Sequence, residues 1–213
     1  MPALGDFFRL NLPQDFVAAW DIWLQQVMVS TRESFGAAWD ARYLSAPIWQ
    51  FSLAAGLCGA APVIGVILPS VDRVGRQFPL TLATTGQGPQ THFTNEDALR
   101  QLEEIGLSAL SDELSRDALD ARLSDVRLIA GGALQVQDHS DHRVLQSNGD
   151  LRAVMAALRA TEGFAQPSIW SISQDGATRM VVHEGLPSVE QAAMLFDGAA
   201  HTVDQPSGQK APA

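Results

Sequence analysis

The sequence has few of the features that mark secreted, membrane-bound or nucleic-acid-binding proteins. It contains one cysteine, Cys58, which rules out an intramolecular disulfide and suits a reducing compartment. The formal net charge of −10 argues against nonspecific binding to nucleic acid or anionic membrane, since both favour basic surfaces. No apolar run approaches the ~18 residues of a membrane span, and the start of the chain has no signal-peptide pattern. We therefore expect a cytoplasmic protein that neither binds nucleic acid nor inserts into a membrane.

The usual short motifs of catalysis are also missing. There is no G-x-S-x-G nucleophile elbow and no Walker-type phosphate loop. Cys58 has no charged neighbour in sequence that would lower its pKa, so we interpret it as a small buried hydrophobe. Two histidines beside two aspartates form one cluster of metal-ligand types: Asp138, His139, Asp141 and His142. We favour a solvated polar loop there, because a catalytic metal needs a third fixed ligand, and we expect no cofactor.

The sequence does contain enough apolar material for one core, with 46% hydrophobic residues in a chain of 213. Apolar residues at helical spacing predict helices over residues 13–35, 37–44, 94–109, 115–126, 147–158 and 189–196. Alternating or β-branched apolar runs predict strands over residues 48–53, 63–68, 78–83, 167–173 and 178–183. Residues 130–146 are interpreted as a surface loop, with a short strand left open.

The order of these elements predicts an α+β fold. The last two strands are separated by an Asp-Gly pair, which is a strong hairpin signal, and the helices come in sequence blocks rather than alternating strictly with strands. We expect one domain over residues 1–200. Residues 201–213 are small, polar and proline-bearing, which predicts a disordered tail.

Four of the five tryptophans lie before residue 50. Trp buries a large apolar area, so we interpret these residues as filling the space between helices and sheet. A ligand cage built from their rings is the alternative.

A polar insert between two apolar strands, at residues 70–77, is the strongest candidate for a binding surface. The residues singled out there are Ser70, Asp72, Arg73, Gly75 and Arg76. The two arginines lie three residues apart and could clamp an anionic group such as a carboxylate or a phosphorylated residue. Alternatively, Asp72 pairs with one of the arginines and the loop locks the strand corner. We favour the second, structural interpretation, and the binding hypothesis remains open at this point.

Four stretches of the sequence resemble motifs of one bacterial family. They are LGDFFRLNLPQDFVAAWDIWLQQ at residues 4–26, WDARYLSAPIWQFSLAAGLCG at 39–59, PSVDRVGRQFPLTLA at 69–83 and GLPSVEQAAMLFDG at 185–198. In this order they resemble the type VI secretion accessory family called TagF or ImpM. The resemblance is strong over residues 2–85, patchy over 86–165 and moderate near the C-terminus.

The resemblance implies an α/β sandwich similar to longin or profilin-like folds, with a central antiparallel sheet flanked by helices on both faces. It also implies a noncatalytic cytoplasmic accessory that represses assembly or firing of the type VI secretion system after translation. The implied partners are secretion components, above all a forkhead-associated scaffold protein.

Two surfaces are candidates for this contact. One is the loop at residues 70–77, and the other is an N-terminal motif of Gly5, Asp6, Phe7 and Arg9. Two alternative functions stay open: a small metal-dependent hydrolase that uses residues 138–142, and a longin-like module that binds a peptide or small molecule.

Overall fold

The computed structural model describes residues 12–86, 88–110, 115–129, 135–138, 143–146, 151–174 and 177–197. Its strands there, numbered in chain order, are β1 (Trp49–Leu53), β2 (Val63–Leu68), β3 (Leu80–Thr85), β4 (Gln135–Asp138), β5 (Arg143–Gln146), β6 (Pro167–Gln174) and β7 (Ala177–Glu184). Five of them form one sheet in the order β3-β2-β1-β6-β7, with every neighbouring pair antiparallel. The other two, β4 and β5, pair antiparallel with each other.

The helices of the same residues are α1 (Gln14–Phe35), α2 (Trp39–Leu44), α3 (Glu96–Ala109), α4 (Arg116–Asp125) and α5 (Leu151–Ala160). Short 3-10 helices span Gly36–Ala38, Pro89–Thr91, Phe93–Asn95 and Gln191–Phe196. The long helix α1 ends at Gly36, whose φ of 50° favours a residue without a side chain. Helix α4 begins after Ser115, whose hydroxyl accepts a hydrogen bond from the Ala118 N–H and so caps the helix.

Alternation along the central strands sends side chains to two differently built faces of the sheet. On the first face, α1, α2 and the 3-10 helix Gln191–Phe196 pack over rings from the sheet. We call it the aromatic face, after its buried rings: Phe16, Trp20, Trp23, Trp39, Tyr43, Trp49, Phe51, Trp170 and Phe196. On the second, α3 and α4 pack over branched aliphatic side chains. We call it the aliphatic face, after its buried residues: Ile64, Val66, Leu82, Leu99, Leu102, Ile105, Ala109 and Leu119.

The α+β fold, with an antiparallel sheet and helices on both faces, is confirmed. The tryptophans lie in a packed core, as the sequence predicts: Trp20, Trp23, Trp39, Trp49 and Trp170 are all buried in the cluster of the aromatic face. The closer likeness to longin or profilin-like folds stays a prediction. So does the single domain over residues 1–200, since 198–213 lie outside the described part. No helix among the described residues is long and apolar enough to cross a membrane.

The strand predicted over residues 78–83 is shifted by two residues, because β3 runs from Leu80 to Thr85. Pro79, which has no N–H to donate to a ladder, stands just before it. An isolated antiparallel bridge between Val71 and Gln77 continues the hairpin below this interruption. The prediction treats residues 78–83 as one strand, but Pro79 separates Phe78 from β3.

Three other predictions need correction. Within residues 130–146, where the prediction is a surface loop with one short strand left open, the structure has two paired strands, β4 and β5. The last helix is a 3-10 helix over Gln191–Phe196 rather than a longer helix from residue 189. In the helix predicted over residues 147–158, the apolar residues Met155 and Leu158 would be expected on the buried face, but each is 40% exposed. Helix α5 contacts the short helices at residues 89–95.

Candidate functional site

The candidate site is the connection between β2 and β3 at residues 70–77, which we call the arginine loop. Backbone hydrogen bonds close it in steps, from Phe78 N–H to the Ser70 carbonyl at 3.1 Å and from Asp72 N–H to the Arg76 carbonyl at 3.0 Å. At the tip, the Gly75 N–H donates to the Asp72 carbonyl at 3.0 Å, which makes residues 72–75 a β-turn. Gly75 has a φ of 82°, in the left-handed region that favours glycine. The loop therefore extends the hairpin and ends in a tight turn.

The Asp72 carboxylate holds this turn from inside. One of its oxygens accepts hydrogen bonds from the backbone N–H groups of Val74, at 3.0 Å, and Arg76, at 2.8 Å. The other oxygen accepts from Nε of Arg76 at 2.5 Å. Burial tends to raise the pKa of Asp72, but the Arg76 backbone and guanidinium and the Val74 N–H outweigh it and hold that pKa below its ordinary value. Asp72 is thus a charged anchor that orders the tip.

The two arginines of the loop have different environments. Arg76 forms an ion pair with Asp72, which is the alternative in which the loop locks the strand corner. No hydrogen bond or ion pair joins the exposed Arg73 side chain to any other residue in the described ranges. Arg73 is therefore the cation available to an anionic group, while Arg76 is committed to shaping the turn.

Two helices brace the base of the loop. The buried Tyr43 hydroxyl of α2 donates to the Ser70 carbonyl at 2.8 Å and accepts from the Ser70 N–H at 3.0 Å. Burial raises the pKa of Tyr43 well above its ordinary value, so the phenol remains a donor. Because both polar backbone groups of Ser70 are satisfied by one side chain, the start of the loop is fixed to α2.

Gln77 fixes the other end of the loop. Its amide oxygen accepts from the Arg32 guanidinium of α1 at 2.9 Å and from the Trp39 indole N–H of α2, while its amide nitrogen donates to Asp40 at 2.9 Å. The Arg32 guanidinium also lies over the Trp39 ring, 5.5 Å from its centroid. A single side chain thus joins the loop to two helices.

Sequence reasoning placed the loop correctly but missed its supports, Tyr43 and Gln77. A signal for Tyr43 existed, because it is the only tyrosine in the chain and sits among apolar residues. A buried phenol needs a hydrogen-bond partner, although the sequence does not say which one. Nothing local distinguishes Gln77 from any other loop glutamine.

The remaining candidate sites have less structural support. Cys58 is buried, and burial raises its pKa to about 12, so its thiol is protonated at neutral pH and is not an activated nucleophile. Asp138 ends β4, while residues 139–142 lie outside the described part of the chain. The N-terminal motif of Gly5, Asp6, Phe7 and Arg9 lies outside it too. Within the ranges described, no group of three or more His, Cys, Asp or Glu side chains could hold a metal ion.

A buried histidine that sequence reasoning overlooked, His92, lies between the 3-10 helices Pro89–Thr91 and Phe93–Asn95, in the connection from β3 to α3. Its two ring nitrogens are each 2.8 Å from a serine hydroxyl, Nδ1 from Ser52 on β1 and Nε2 from Ser171 on β6. Burial lowers the pKa of this residue, His92, to about 4, so the ring is neutral at pH 7. Ser52 is fully buried. A substrate has no access to this Ser–His pair, and the cluster is best understood as a satisfied polar part of the core.

Comparisons with known proteins agree with the resemblance seen in the motifs. A family model described as the TagF N-terminal domain, type VI secretion system-associated, matches residues 1–126. The crystal structure of PA0076 from Pseudomonas aeruginosa PAO1 is similar, with a TM-score of 0.73 and 29% sequence identity. That similarity covers 98% of this chain and 93% of the other. No protein with a curated description matches this chain.

Proposed function

The chain belongs to the TagF family of type VI secretion system-associated proteins, and from this premise we propose that it is a noncatalytic cytoplasmic repressor of that system. In this proposal it acts after translation, by binding a forkhead-associated scaffold protein and so preventing assembly or firing of the apparatus. An accessory role in type VI secretion follows from the family itself. The direction of regulation and the partner are the proposed parts.

The observation that carries the proposal is the build of the arginine loop. Its turn is closed by backbone hydrogen bonds and by Asp72, and its base is bonded to α2 through Tyr43. The tip nevertheless leaves Arg73 exposed, on a chain whose net charge is −10. A loop that is already ordered by its own hydrogen bonds and presents an exposed cation is suited to contact another protein, because little further ordering is needed on binding.

The chemistry of the two best nucleophile candidates supports a noncatalytic role. Cys58 is buried with a pKa raised to about 12, and Ser52 is buried against a histidine that no substrate reaches. Neither residue meets the requirement that a nucleophile be both activated and accessible.

The direct test is binding of the purified chain to the purified forkhead-associated scaffold protein of the same secretion system, measured by calorimetry. We expect Arg73→Glu to weaken binding at least ~10-fold, because it replaces the exposed cation with an anion. Arg159→Glu is the matched control, since Arg159 is an exposed arginine on α5. Equal binding by the wild type and Arg73→Glu would remove the loop as the contact. Deletion of the gene should raise secretion, and a fall would contradict repression.

A further inference from the structure

We infer that the tip of the arginine loop is a hydrophobic anchor, in which Val74 fills a small apolar socket on an acidic partner surface while Arg73 pairs with the rim of that socket. The inference rests on the proposed function and deepens it. The inference specifies the chemistry of the partner surface. It also adds Val74 to a site that was first recognised from its charged residues.

Val74 is the most exposed large hydrophobic residue in the described part of the chain, at 72%. The next in order are Leu44 at 62% and Ile22 and Val29 at 60%. Single exposed apolar residues are ordinary on protein surfaces. Val74, however, occupies the third position of a β-turn, where small polar residues predominate. At 72% exposure, its side chain buries little apolar area against its own chain.

The anchor is held in place before any partner arrives. The Val74 N–H is bonded to the Asp72 carboxylate at 3.0 Å, and the next N–H, that of Gly75, is bonded to the Asp72 carbonyl at 3.0 Å. Valine also has a stiff, β-branched side chain with few rotamers to lose. Docking such a residue costs little conformational entropy, because few rotamers are lost when it becomes buried.

Charge indicates what kind of surface receives the anchor. Asp72 is neutralised within the turn by Arg76, so Arg73 gives the tip a positive character. The chain as a whole carries −10 and repels other acidic surfaces. An acidic partner would be attracted to the positive tip, and the net negative charge of the whole chain would disfavour other orientations of the encounter. A lipid surface fits less well, because one valine supplies too little apolar area to hold an acidic protein at an anionic membrane.

The test compares Val74→Ala and Val74→Asp with the wild type for binding to the purified forkhead-associated scaffold protein. We expect about 5- to 10-fold weaker binding for Val74→Ala, which removes two buried methyl groups, and ~100-fold weaker binding for Val74→Asp. Val29→Ala and Val29→Asp, on the exposed side of α1, are matched controls and should bind within about 2-fold of the wild type. Wild-type affinity should fall between ~0.05 and ~0.5 M salt, and less steeply for Arg73→Ala.

The outcomes separate the two levels of the proposal. Wild-type affinity in Val74→Asp, with Arg73→Glu still defective, would overturn the anchor and leave the proposed function standing. Failure of the wild type itself to bind would overturn both. Self-association of the wild type that Val74→Asp abolishes, measured by sedimentation, would replace the foreign partner with a second copy. Melting curves establish that the variants are folded, and Val74→Ala carries the result if Val74→Asp is not.

Discussion

The two faces of the central sheet are built from different chemistry. The aromatic face stacks rings on rings, as where Trp20 lies 4.8 Å from Phe51 and 6.1 Å from Trp170 between centroids. Two of its indole N–H groups donate to nearby acceptors, Trp20 to the Thr81 hydroxyl and Trp23 to the Pro187 carbonyl, each at 3.0 Å. The aliphatic face packs branched side chains and has a buried ionisable group, His92, at its margin. We therefore expect substitutions that remove side-chain volume to destabilise the protein on either face. We expect the stability contributed by the aliphatic face to depend on pH as well.

The aromatic face also supports the arginine loop. Tyr43 and Trp39 belong to its buried cluster and also bond to the loop, at Ser70 and Gln77. Loop geometry is therefore coupled to how α2 packs on this face. The structure shows no such bond from the aliphatic face among the described residues.

The largest expected effect is on the aromatic face. Trp170 is fully buried against Trp20, Trp23 and Phe51, so Trp170→Ala should lower the free energy of unfolding by ~4–5 kcal/mol. Leu99→Ala, fully buried on the aliphatic face, should cost about 3 kcal/mol because it leaves a smaller cavity.

Urea unfolding monitored by circular dichroism measures both variants. Leu107→Ala is the control, because Leu107 is exposed on the same helix as Leu99 and should change stability by at most about 0.5 kcal/mol. If Trp170→Ala lowered the free energy of unfolding less than Leu99→Ala, the prediction that the aromatic face contributes more to stability would be wrong.

The second expected effect is a dependence of stability on pH that arises from His92. Its folded-state pKa of about 4 lies below the ordinary value of 6.5. Between pH ~6.5 and ~4, His92 is therefore protonated in the unfolded chain but still neutral in the folded chain, which favours unfolding. The contribution of His92 to stability is complete above pH ~6.5 and is lost as the pH falls towards ~4. Since one pKa unit corresponds to ~1.4 kcal/mol, the loss amounts to about 3 kcal/mol.

Unfolding free energies of the wild type and His92→Gln across this pH range measure the effect. The difference between the two curves removes the carboxylates and His183, whose pKa is also lowered by burial. We expect His92→Gln to have the flatter curve, whatever its absolute stability. Parallel curves would show that His92 is not the titrating group.

The smallest expected effect concerns the bond between α2 and the loop. Tyr43→Phe removes the hydroxyl that satisfies both backbone groups of Ser70, which is buried, and should cost ~1–3 kcal/mol. Ser45→Ala is a matched loss of a hydroxyl on an exposed site at the end of α2, and should cost at most about 0.5 kcal/mol. The same urea measurement applies, and equal losses would mean that Tyr43 does not brace the loop.

Most of the fold was predictable because its signals are local. The helix α1 was predicted within one residue, since its apolar positions recur at helical spacing and Gly36 ends it. The strand β2 was predicted at both ends because a run of β-branched residues is bounded by Pro62 and Pro69. Ser188 and Gln191 have the spacing of a capping box, and in the structure each backbone N–H is bonded to the other's side chain.

Other local signals were ambiguous. Thr94 and Asp97 have the spacing of a capping box, yet the Thr94 hydroxyl bonds to the Thr91 carbonyl and α3 begins at Glu96 without a side-chain cap. The preceding 3-10 helices already bring a backbone acceptor to that hydroxyl. A spacing rule cannot foresee such competition, because the competing carbonyl is in position only after the connector has folded.

Periodicity and turn chemistry, which act between residues close together in the chain, were enough to predict the α+β class. The family motifs are also short local stretches, and helices on both faces of the sheet were implied only by the resemblance they carry. The supports of the sites depend instead on tertiary contacts. His92 meets Ser52 and Ser171 across separations of 40 and 79 residues, and Gln77 meets Trp39 across 38. Such partners are chosen by strand pairing and helix packing, so whether a polar residue is a support or a contact is settled only when the chain has folded.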